Sequence, residues 1–310
     1  MRPFVLGIDI GGTNIKLGLV DSAGKVFART NLSTRTFIRN KTKLINAIVL
    51  SIESLIRKNR IDKKDILGIG IGLPGLIDME RGVVNLLVNI PGWKNVPLKR
   101  IIEKRLHIPT FIDNDVNLMA LGEWKFGAGR GMKNLVCMTL GTGVGGGLVI
   151  NNELFRGEGF SAGEIGHIPL NEKGPQCNCG GYGCLERSIG NQHLLKEARK
   201  IFKNKNITLE EITDRANNGD RKAIRFWKEV GRHLGNGLTG VINLLNPRCI
   251  IIGGGIANAH KYLFKTISET LKKRAMKIPA KMVKIVNAKL GNDAGIIGTQ
   301  VLVTDALSSK

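Results

Sequence analysis

The stretch FVLGIDIGGTNIKLGLVDSAGKVFA, residues 4–28, decides the fold of this 310-residue chain. It predicts an apolar strand, a Gly/Thr turn, a second apolar strand and a polar hairpin turn at residues 21–24. The same design recurs in NLVCMTLGTGVGGGLVINNELF, residues 134–155, with Asn151 and Asn152 at the hairpin turn. The sequence therefore predicts an approximate duplication of one structural unit.

Outside these stretches, strand and helix patterns alternate, which favours a parallel or mixed sheet covered by helices. Strands are predicted in ILGIGIGLPG (66–75), PTFIDND (109–115), RCIIIGGGI (248–256) and KIVNAKL (284–290). Helices are predicted over residues 44–57, 116–126, 188–202, 208–217, 221–245, 257–273 and 294–306. We expect a small α/β domain at 1–115, on which a C-terminal helix of about 294–310 packs, and a large α/β domain at 116–293.

The composition is that of a globular protein, with 42% hydrophobic residues and a mean hydropathy of -0.01. No linker, secretory signal or membrane-spanning run is recognisable, so we expect domains joined by a tight hinge, a cytoplasmic location and no membrane partner. Cys137 and Cys249 lie in apolar strand-like runs and are interpreted as reduced core residues.

The net charge of +22 raises the possibility of nucleic-acid binding. The lysines and arginines, however, are spread over several helix-like segments without interleaved aromatic residues for base stacking. We therefore expect a solvated, lysine-rich surface and no nucleic-acid partner. The charge would favour anionic substrates such as nucleoside triphosphates or longer phosphate chains.

The segment AGEIGHIPLNEKGPQCNCGGYGCLE, residues 162–186, is dense in potential metal ligands. His167, Cys177, Cys179 and Cys184 provide one nitrogen and three sulfur ligands, a set typical of zinc. The alternative is a disulfide and a spare thiol, but a Cys177–Cys179 bridge would be strained. Because four protein ligands leave no open position for water, the predicted Zn²⁺ is structural.

Three glycine-rich turns follow apolar strands, at residues 9–14, 141–147 and 253–255. Each could approach a phosphate through backbone N–H groups, or could be an ordinary hairpin or packing turn. None matches a Walker P-loop or a dinucleotide fingerprint. Asp9, among apolar neighbours, requires a hydrogen bond or a nearby cation, and hydrated Mg²⁺ would supply one.

Several motifs together resemble the ROK family of bacterial sugar kinases, most of all its glucokinase branch. They are DIGGTNIK (9–16), IGLPG (71–75), NIPGW (89–93), IDNDVN (112–117), AGEIGH (162–167) and CNCGGYGCLE (177–186). The resemblance implies an actin-like ATPase fold, in which two duplicated, ribonuclease-H-like α/β domains close over a central cleft. ATP and hexose would bind at the hinge, and the predicted duplication agrees with this architecture.

Asp115 is the candidate general base, because it follows a strand and opens a helix at a carboxyl-end crevice. From local sequence alone, Asp115 or Asp113 could equally cap that helix. The resemblance favours the catalytic role for Asp115.

The resemblance also implies sugar contacts, and we add Gly75 and Asn89 to them. The matching family positions are Asn114, Asp115, Glu164, His167 and Glu186. His167 would bind the metal through one ring nitrogen and present the other to the sugar.

For the nucleotide, the resemblance implies contacts from the three glycine turns. The implied residues are Gly11, Gly12, Thr13, Gly141, Thr142 and Gly143 at the phosphates, and Gly254 and Gly255 near the adenosine. Asp9 and Asn14, at the ends of the first turn, are assigned to the same site. Lys16 either neutralises phosphate charge or is an exposed lysine, and both interpretations stay open.

The leading hypothesis is an Mg²⁺- and ATP-dependent hexokinase that phosphorylates glucose at its 6-hydroxyl, and relatives of this type suggest a homodimer. Mannose, fructose, allose, N-acetylglucosamine or N-acetylmannosamine are alternative substrates, since Phe160 and Ser161 depart from the usual glucokinase pattern. Polyphosphate is an alternative donor.

Two hypotheses lie outside the kinase class. A sugar-sensing repressor would carry a DNA-reading module, and Asp9 lies so near the first residue that we expect none. A zinc-ribbon nucleic-acid binder is the other, suggested by the charge and the single cysteine cluster.

Overall fold

The computed structural model describes residues 3–37, 40–87, 90 and 92–308. Thirteen strands lie in these residues: β1 (Phe4–Ile10), β2 (Asn14–Val20), β3 (Val26–Ser33), β4 (Ile66–Leu73), β5 (Leu76–Asp78), β6 (Val83–Leu86), β7 (Lys94–Val96), β8 (Thr110–Asn114), β9 (Leu135–Leu140), β10 (Val144–Ile150), β11 (Glu153–Phe155), β12 (Cys249–Gly253) and β13 (Lys284–Asn287).

Ten α-helices lie in the same described ranges: α1 (Lys41–Lys58), α2 (Leu98–Leu106), α3 (Asp115–Phe126), α4 (Glu186–Ile189), α5 (Asn191–Phe202), α6 (Leu209–Asn217), α7 (Arg221–Leu245), α8 (His260–Arg274), α9 (Lys277–Met282) and α10 (Ala294–Ser308). None of the helices described is long and apolar enough to cross a bilayer.

The two large sheets share one topology. The first has the order β3-β2-β1-β4-β8, and the second has the order β11-β10-β9-β12-β13. In each, three consecutive strands form an antiparallel meander, and two later strands add in parallel beside the first strand. The duplication predicted from the sequence is therefore confirmed at the level of strand order.

The helix α10 lies directly on the first sheet, although it comes last in the chain. Gly7 and Gly70 make this approach possible, since a Cβ at either would lie 2.4 Å and 2.5 Å from side-chain atoms of Thr299. This agrees with the expectation that the last helix packs back on the N-terminal part. The proposed domain boundary at residue 115 stays a prediction.

The helices α3 and α10 cross between the two sheets with their backbones in contact. A Cβ at Gly298 would lie 1.8 Å from the carbonyl oxygen of Leu118, and one at Gly122 would lie 2.5 Å from that of Ala294. The helix α3 also packs on β9 and β10 of the second sheet. The helix pair therefore connects the two halves of the molecule.

Two sequence predictions were wrong in detail, and some short elements were missed. The helix predicted over 188–202 is two helices, because Gly190 adopts an extended conformation between α4 and α5. The helix predicted from residue 257 begins at His260, after a 3-10 turn at Gly255–Ala259. The short sheet β5-β6-β7 and the helix α9 were not predicted.

The two predicted core thiols are in the core. Cys137 and Cys249 are buried and not disulfide-bonded. They lie on the adjacent strands β9 and β12, in an apolar cluster that includes Leu135 and Ile251.

Candidate active site

A cavity of about 400 Å³ lies where the carboxyl ends of strands from both sheets meet. This is the position at which open α/β sheets bind small ligands. Five residues predicted from the sequence line it, namely Asp9, Lys16, Asp115, Gly254 and Gly255.

Asp9 and Lys16 are directly opposite each other on β1 and β2. The Lys16 Nζ lies 3.8 Å from the Asp9 carboxylate and donates a hydrogen bond to the carbonyl oxygen of Asn292, at 3.0 Å. Burial raises the pKa of the Asp9 carboxyl, and the charge of Lys16 partly lowers it. Lys16 is therefore the cation beside Asp9 and faces the cavity.

Asp115 is the first residue of α3, but the main helix cap is its neighbour Asn114. The Asn114 Oδ1 accepts hydrogen bonds from the N–H groups of Val116, at 2.9 Å, and Asn117, at 3.4 Å. Asp115 also accepts one from Val116, at 2.9 Å. The side chain of Asp115 nevertheless reaches the cavity lining, so capping is not its only contact.

The electrostatic environment raises the pKa of Asp115 to about 7. Burial of the carboxyl is the largest cause, and the negative charges of Asp9 and, to a smaller extent, Glu164 add to it. The hydrogen bond from Val116 opposes these effects. A carboxylate with a pKa near 7 is suited to accept a proton at neutral pH.

The alternative role of Asp113 as the helix cap is wrong. Its carboxylate is buried and accepts two hydrogen bonds from the Arg156 guanidinium, at 2.7 and 2.9 Å. Its other oxygen accepts from the Asn117 amide, at 2.9 Å. Because Arg156 follows β11 and Asp113 lies on β8, this ion pair joins the two halves of the molecule beside Asp115.

Asn114 and Gly75, both assigned to the sugar, are brought together. The Asn114 amide donates to the Gly75 carbonyl oxygen at 3.5 Å. Gly75 has φ +135°, and a Cβ there would lie 2.2 Å from the carbonyl oxygen of Leu86, so this turn requires glycine. Asn89 lies outside the described residues.

Glu186 contacts the second glycine turn. Its Oε2 accepts a hydrogen bond from the Val144 N–H at 2.9 Å, and a Cβ at Gly143 would lie 2.6 Å from the same oxygen. The Gly141 carbonyl oxygen in turn accepts from the N–H of Asn191. The end of the segment 162–186, which we call the cysteine segment, is thus bound to a predicted phosphate turn.

His167, Cys177, Cys179 and Cys184 come together, with their ligand atoms all within 4.8 Å of one another. The His167 Nδ1 lies 3.6 Å from the Cys177 Sγ, and the Sγ atoms of Cys179 and Cys184 are 3.7 Å apart. With Zn–S bonds of about 2.3 Å and Zn–N bonds of about 2.0–2.1 Å, a tetrahedral site would have edges of roughly 3.8 and 3.6 Å. The four residues fit Zn²⁺.

The other nitrogen of His167 faces the predicted sugar side. Its Nε2 lies 3.7 Å from the Glu164 carboxylate. The negative charge of Glu164 also helps to raise the pKa of Asp115. The cysteine cluster is therefore connected to the candidate base through His167 and Glu164.

Some predicted nucleotide residues do not line the cavity among the residues described. These are Gly11, Gly12, Thr13, Asn14, Gly141, Thr142 and Gly143. The cavity instead includes polar residues that sequence reasoning missed, namely Thr139, Asn258, Asn287 and Asn292. Thr139 and Asn287 had a usable signal, because they lie near or at the carboxyl ends of β9 and β13.

Comparison with known proteins decides the family. The sequence profile of the ROK family matches residues 5–306. The chain belongs to the ROK family. The predicted fold class, the actin-like ATPase fold with two duplicated α/β halves, is thereby confirmed.

Relatives in this ROK family include both enzymes and regulators. A glucokinase of Halalkalibacterium halodurans is 36% identical, over 96% of this chain and 94% of its own. A xylose repressor of Caldicellulosiruptor bescii is 32% identical, over 98% of this chain and 79% of its own. A Streptomyces griseus ROK glucokinase, solved with glucose and AMPPNP, has a TM-score of 0.81 and 30% identity, covering 97% of this chain and 99% of its own. The similarity to these glucokinases supports a sugar kinase.

Proposed function

We propose that this ROK protein transfers the γ-phosphoryl group of ATP to the 6-hydroxyl of glucose, with Asp115 accepting the hydroxyl proton. The observation that carries the proposal is the Asp115 carboxyl, held in the cavity with a pKa of about 7. Phosphoryl transfer needs an aligned hydroxyl, neutralisation of phosphate charge and a nearby proton acceptor. Lys16 supplies positive charge in the same cavity.

The sugar would contact the groups assembled around Asp115. Asn114 and the Gly75 backbone lie on one side, and Glu164, His167 and Glu186 come from the cysteine segment. Zn²⁺ bound by His167, Cys177, Cys179 and Cys184 would fix the last three side chains. The Zn²⁺ is proposed as structural, since the protein fills all four positions.

The donor is proposed as ATP because a second, smaller cavity of about 130 Å³ adjoins the first and shares Gly255 and Asn258 with it. Its lining includes Trp227, Glu210 and Asp214. The indole Nε1 of Trp227 is buried and has no hydrogen-bond partner among the described residues. An indole donor beside carboxylate acceptors suits a purine base, which polyphosphate lacks.

Mg²⁺ would accompany the triphosphate, and Asp9 is the carboxylate best placed to hold it. The ion would neutralise phosphate charge. The glycine turns at residues 11–13 and 141–143 are proposed to contact the phosphates through their N–H groups.

A second candidate function is sugar-responsive regulation without turnover, because the xylose repressor aligns with nearly the whole chain. The other hexoses and N-acetylhexosamines are retained as alternative substrates. Phe160 stands at φ +57° in the segment before Glu164, where it could shape the sugar pocket. The homodimer and the cytoplasmic location stay predictions.

The test is a panel of sugars crossed with ATP and polyphosphate, with product measured for the wild type and Asp115→Asn. We expect turnover with glucose and ATP, and a loss of about 10²–10⁴-fold in Asp115→Asn, the usual contribution of a general base. Asp21→Asn, a carboxylate in a hairpin turn, is the matched control and should keep full activity. Sugar binding without turnover by the wild type would support the regulator instead.

A further inference from the structure

One end of the molecule, opposite the cavity, combines dense positive charge with exposed apolar side chains. No acidic residue lies between Glu269 and Asp293, whereas seven basic residues do: Lys272, Lys273, Arg274, Lys277, Lys281, Lys284 and Lys289. Among the described residues, no carboxylate forms an ion pair with any of the seven. Their charge therefore meets no direct carboxylate partner in the described part of the chain.

Four large apolar side chains are exposed in the same place. Leu244, Met276, Ile278 and Met282 have 83%, 66%, 72% and 45% of their surface in contact with solvent. Ile278 and Met282 are four residues apart on α9, so they share one helix face. The N–H of Met276 donates to the side chain of Asn243, at 2.9 Å, which brings Met276 next to Leu244.

The basic residues flank this apolar group along the chain. Lys277 and Lys281 lie on α9, each directly before one of its exposed apolar residues, and three basic residues form the last turn of α8 just before α9. Lys284 opens β13, opposite Cys249. We call the four apolar and the first six basic residues the α9 surface.

The α9 surface is remote from the proposed chemistry. It adjoins the amino ends of β12 and β13, whereas the cavity lies at their carboxyl ends, beyond Gly253 and Asn287. Strands of this length span roughly 13–16 Å. Occupation of the α9 surface would therefore leave the cavity open.

We propose that the α9 surface docks on an anionic lipid bilayer. Exposed Met, Ile and Leu side chains flanked by Lys and Arg suit the membrane interface, where apolar groups enter the acyl boundary and cations meet anionic headgroups. A second copy of the chain is disfavoured, because the same cations would face each other. A nucleic acid would use the charge but not the aliphatic side chains.

This docking is peripheral and needs no spanning helix. It departs from the sequence expectation of no membrane partner, which was based on the lack of a recognisable spanning segment. It also assigns a role to part of the basic charge, and it does not depend on which sugar the protein binds.

The proposal is tested by co-sedimentation of the full chain with vesicles of phosphatidylglycerol and phosphatidylcholine, or of phosphatidylcholine alone. We expect binding only to the anionic vesicles, and weaker binding as salt rises. Lys277→Gln with Lys281→Gln should lower the partition coefficient by roughly 30-fold, at about 1 kcal/mol per cation. Lys58→Gln with Lys63→Gln, on an exposed basic segment elsewhere, should have little effect.

A further double variant distinguishes docking on a bilayer from binding to other polyanions. Ile278→Ser with Met282→Ser should weaken vesicle binding while leaving any binding to DNA unchanged. Vesicle binding that is unaffected by this pair, equal losses in the Lys58/Lys63 control, or a dimer that buries Ile278 would each overturn the proposal. Sugar phosphorylation should be the same in all three double variants.

Discussion

At the scale of single residues, the environment of Asp115 connects sequence with function. The carboxyl is desolvated at the start of α3, and Asp9 across the cavity adds a like charge, so the proton is held more tightly than in water. A proton acceptor needs the ionised form. We therefore expect kcat/KM for glucose to rise about tenfold per pH unit below about pH 7 and to level off above it. A pH–rate profile measures this, and a flat profile between pH 5 and 8 would contradict the role of Asp115.

The ionised Asp115 carboxylate should also lower the free energy of unfolding. The pKa of Asp115 is about 7 in the folded protein and 3.8 by ordinary reference, so the folded state binds the proton more tightly than the unfolded chain. The contribution of Asp115 to the free energy of unfolding therefore falls as pH rises from about 4 to about 7. Asp115→Asn should be more stable than the wild type by up to about 4 kcal/mol at pH 8, because one unit of pKa difference corresponds to about 1.36 kcal/mol, and equally stable at pH 3.5. Urea denaturation at both values measures the difference.

Sequence reasoning at this scale succeeded where residues carry a motif. The cluster of His167 with three cysteines forms as its spacing predicted. The pairing of Asp9 with Lys16 was not predicted, although the three-residue turn between β1 and β2 fixes their register. Asn258 and Asn292 were missed, because single asparagines on separate loops carry no pattern. The Asp113–Arg156 pair was missed for a similar reason, since 43 residues separate its members.

At the scale of elements, the cysteine segment depends on its proposed metal more than on regular structure. Between His167 and Glu186, the described backbone forms only two isolated bridges, Pro169 with Cys184 and Gln176 with Tyr182. Its backbone hydrogen bonds, such as those from the N–H groups of Cys177 to Gly181 and of Leu170 to Gly183, close turns and bridges rather than a helix or a sheet. A segment without such regular elements gains order from a cross-link. The proposed Zn²⁺ would be that cross-link for Glu164 and Glu186.

Removal of the metal should therefore affect the sugar more than the nucleotide. Cys184→Ser is expected to lose bound zinc, to raise KM for glucose at least about tenfold and to change KM for ATP little. Elemental analysis and steady-state kinetics measure these effects. Cys249→Ser is the control, as a buried thiol outside the cluster, and should retain its zinc. A Cys184→Ser protein with normal zinc and normal KM values would remove the metal from the proposal.

Long elements were easier to predict than short ones. The helix predicted over 221–245 is α7, with the same bounds, because 25 residues give a clear period. The strands β5 and β7 have three residues each, too few to show alternation. The break at Gly190 was missed because α4 and α5 together resemble one helix in composition.

At the scale of the whole molecule, the Asp113–Arg156 ion pair joins the first sheet to the second. Asp113 lies on β8 of the first sheet, and Arg156 directly follows β11 of the second sheet. Asp113 is buried, so removal of its partner leaves an uncompensated charge. Arg156→Met should lower the free energy of unfolding by about 3 kcal/mol. In the double variant that also carries Asp113→Asn, the loss of unfolding free energy should be smaller than the sum of the two single losses, by about 1–3 kcal/mol.

Urea denaturation of the two single variants and the double variant measures this coupling. Strict additivity would show that the pair contributes nothing specific to the junction. Lys284→Met, an exposed cation away from Asp113, is the control and should change stability by less than about 0.5 kcal/mol.

The crossing of α3 with α10 at Gly122 and Gly298 has a further consequence. Most neighbouring helices are separated by interlocking side chains, which resist any change of angle because each knob must leave its hole. Here the main chains of α3 and α10 touch directly, without interlocking side chains. We therefore expect the angle between the two helices to be able to change, while translation of one along the other is prevented. Even one added methyl group at Gly122 or Gly298 would force the two helices apart. We therefore expect these two positions to be as intolerant of substitution as any that touch a ligand.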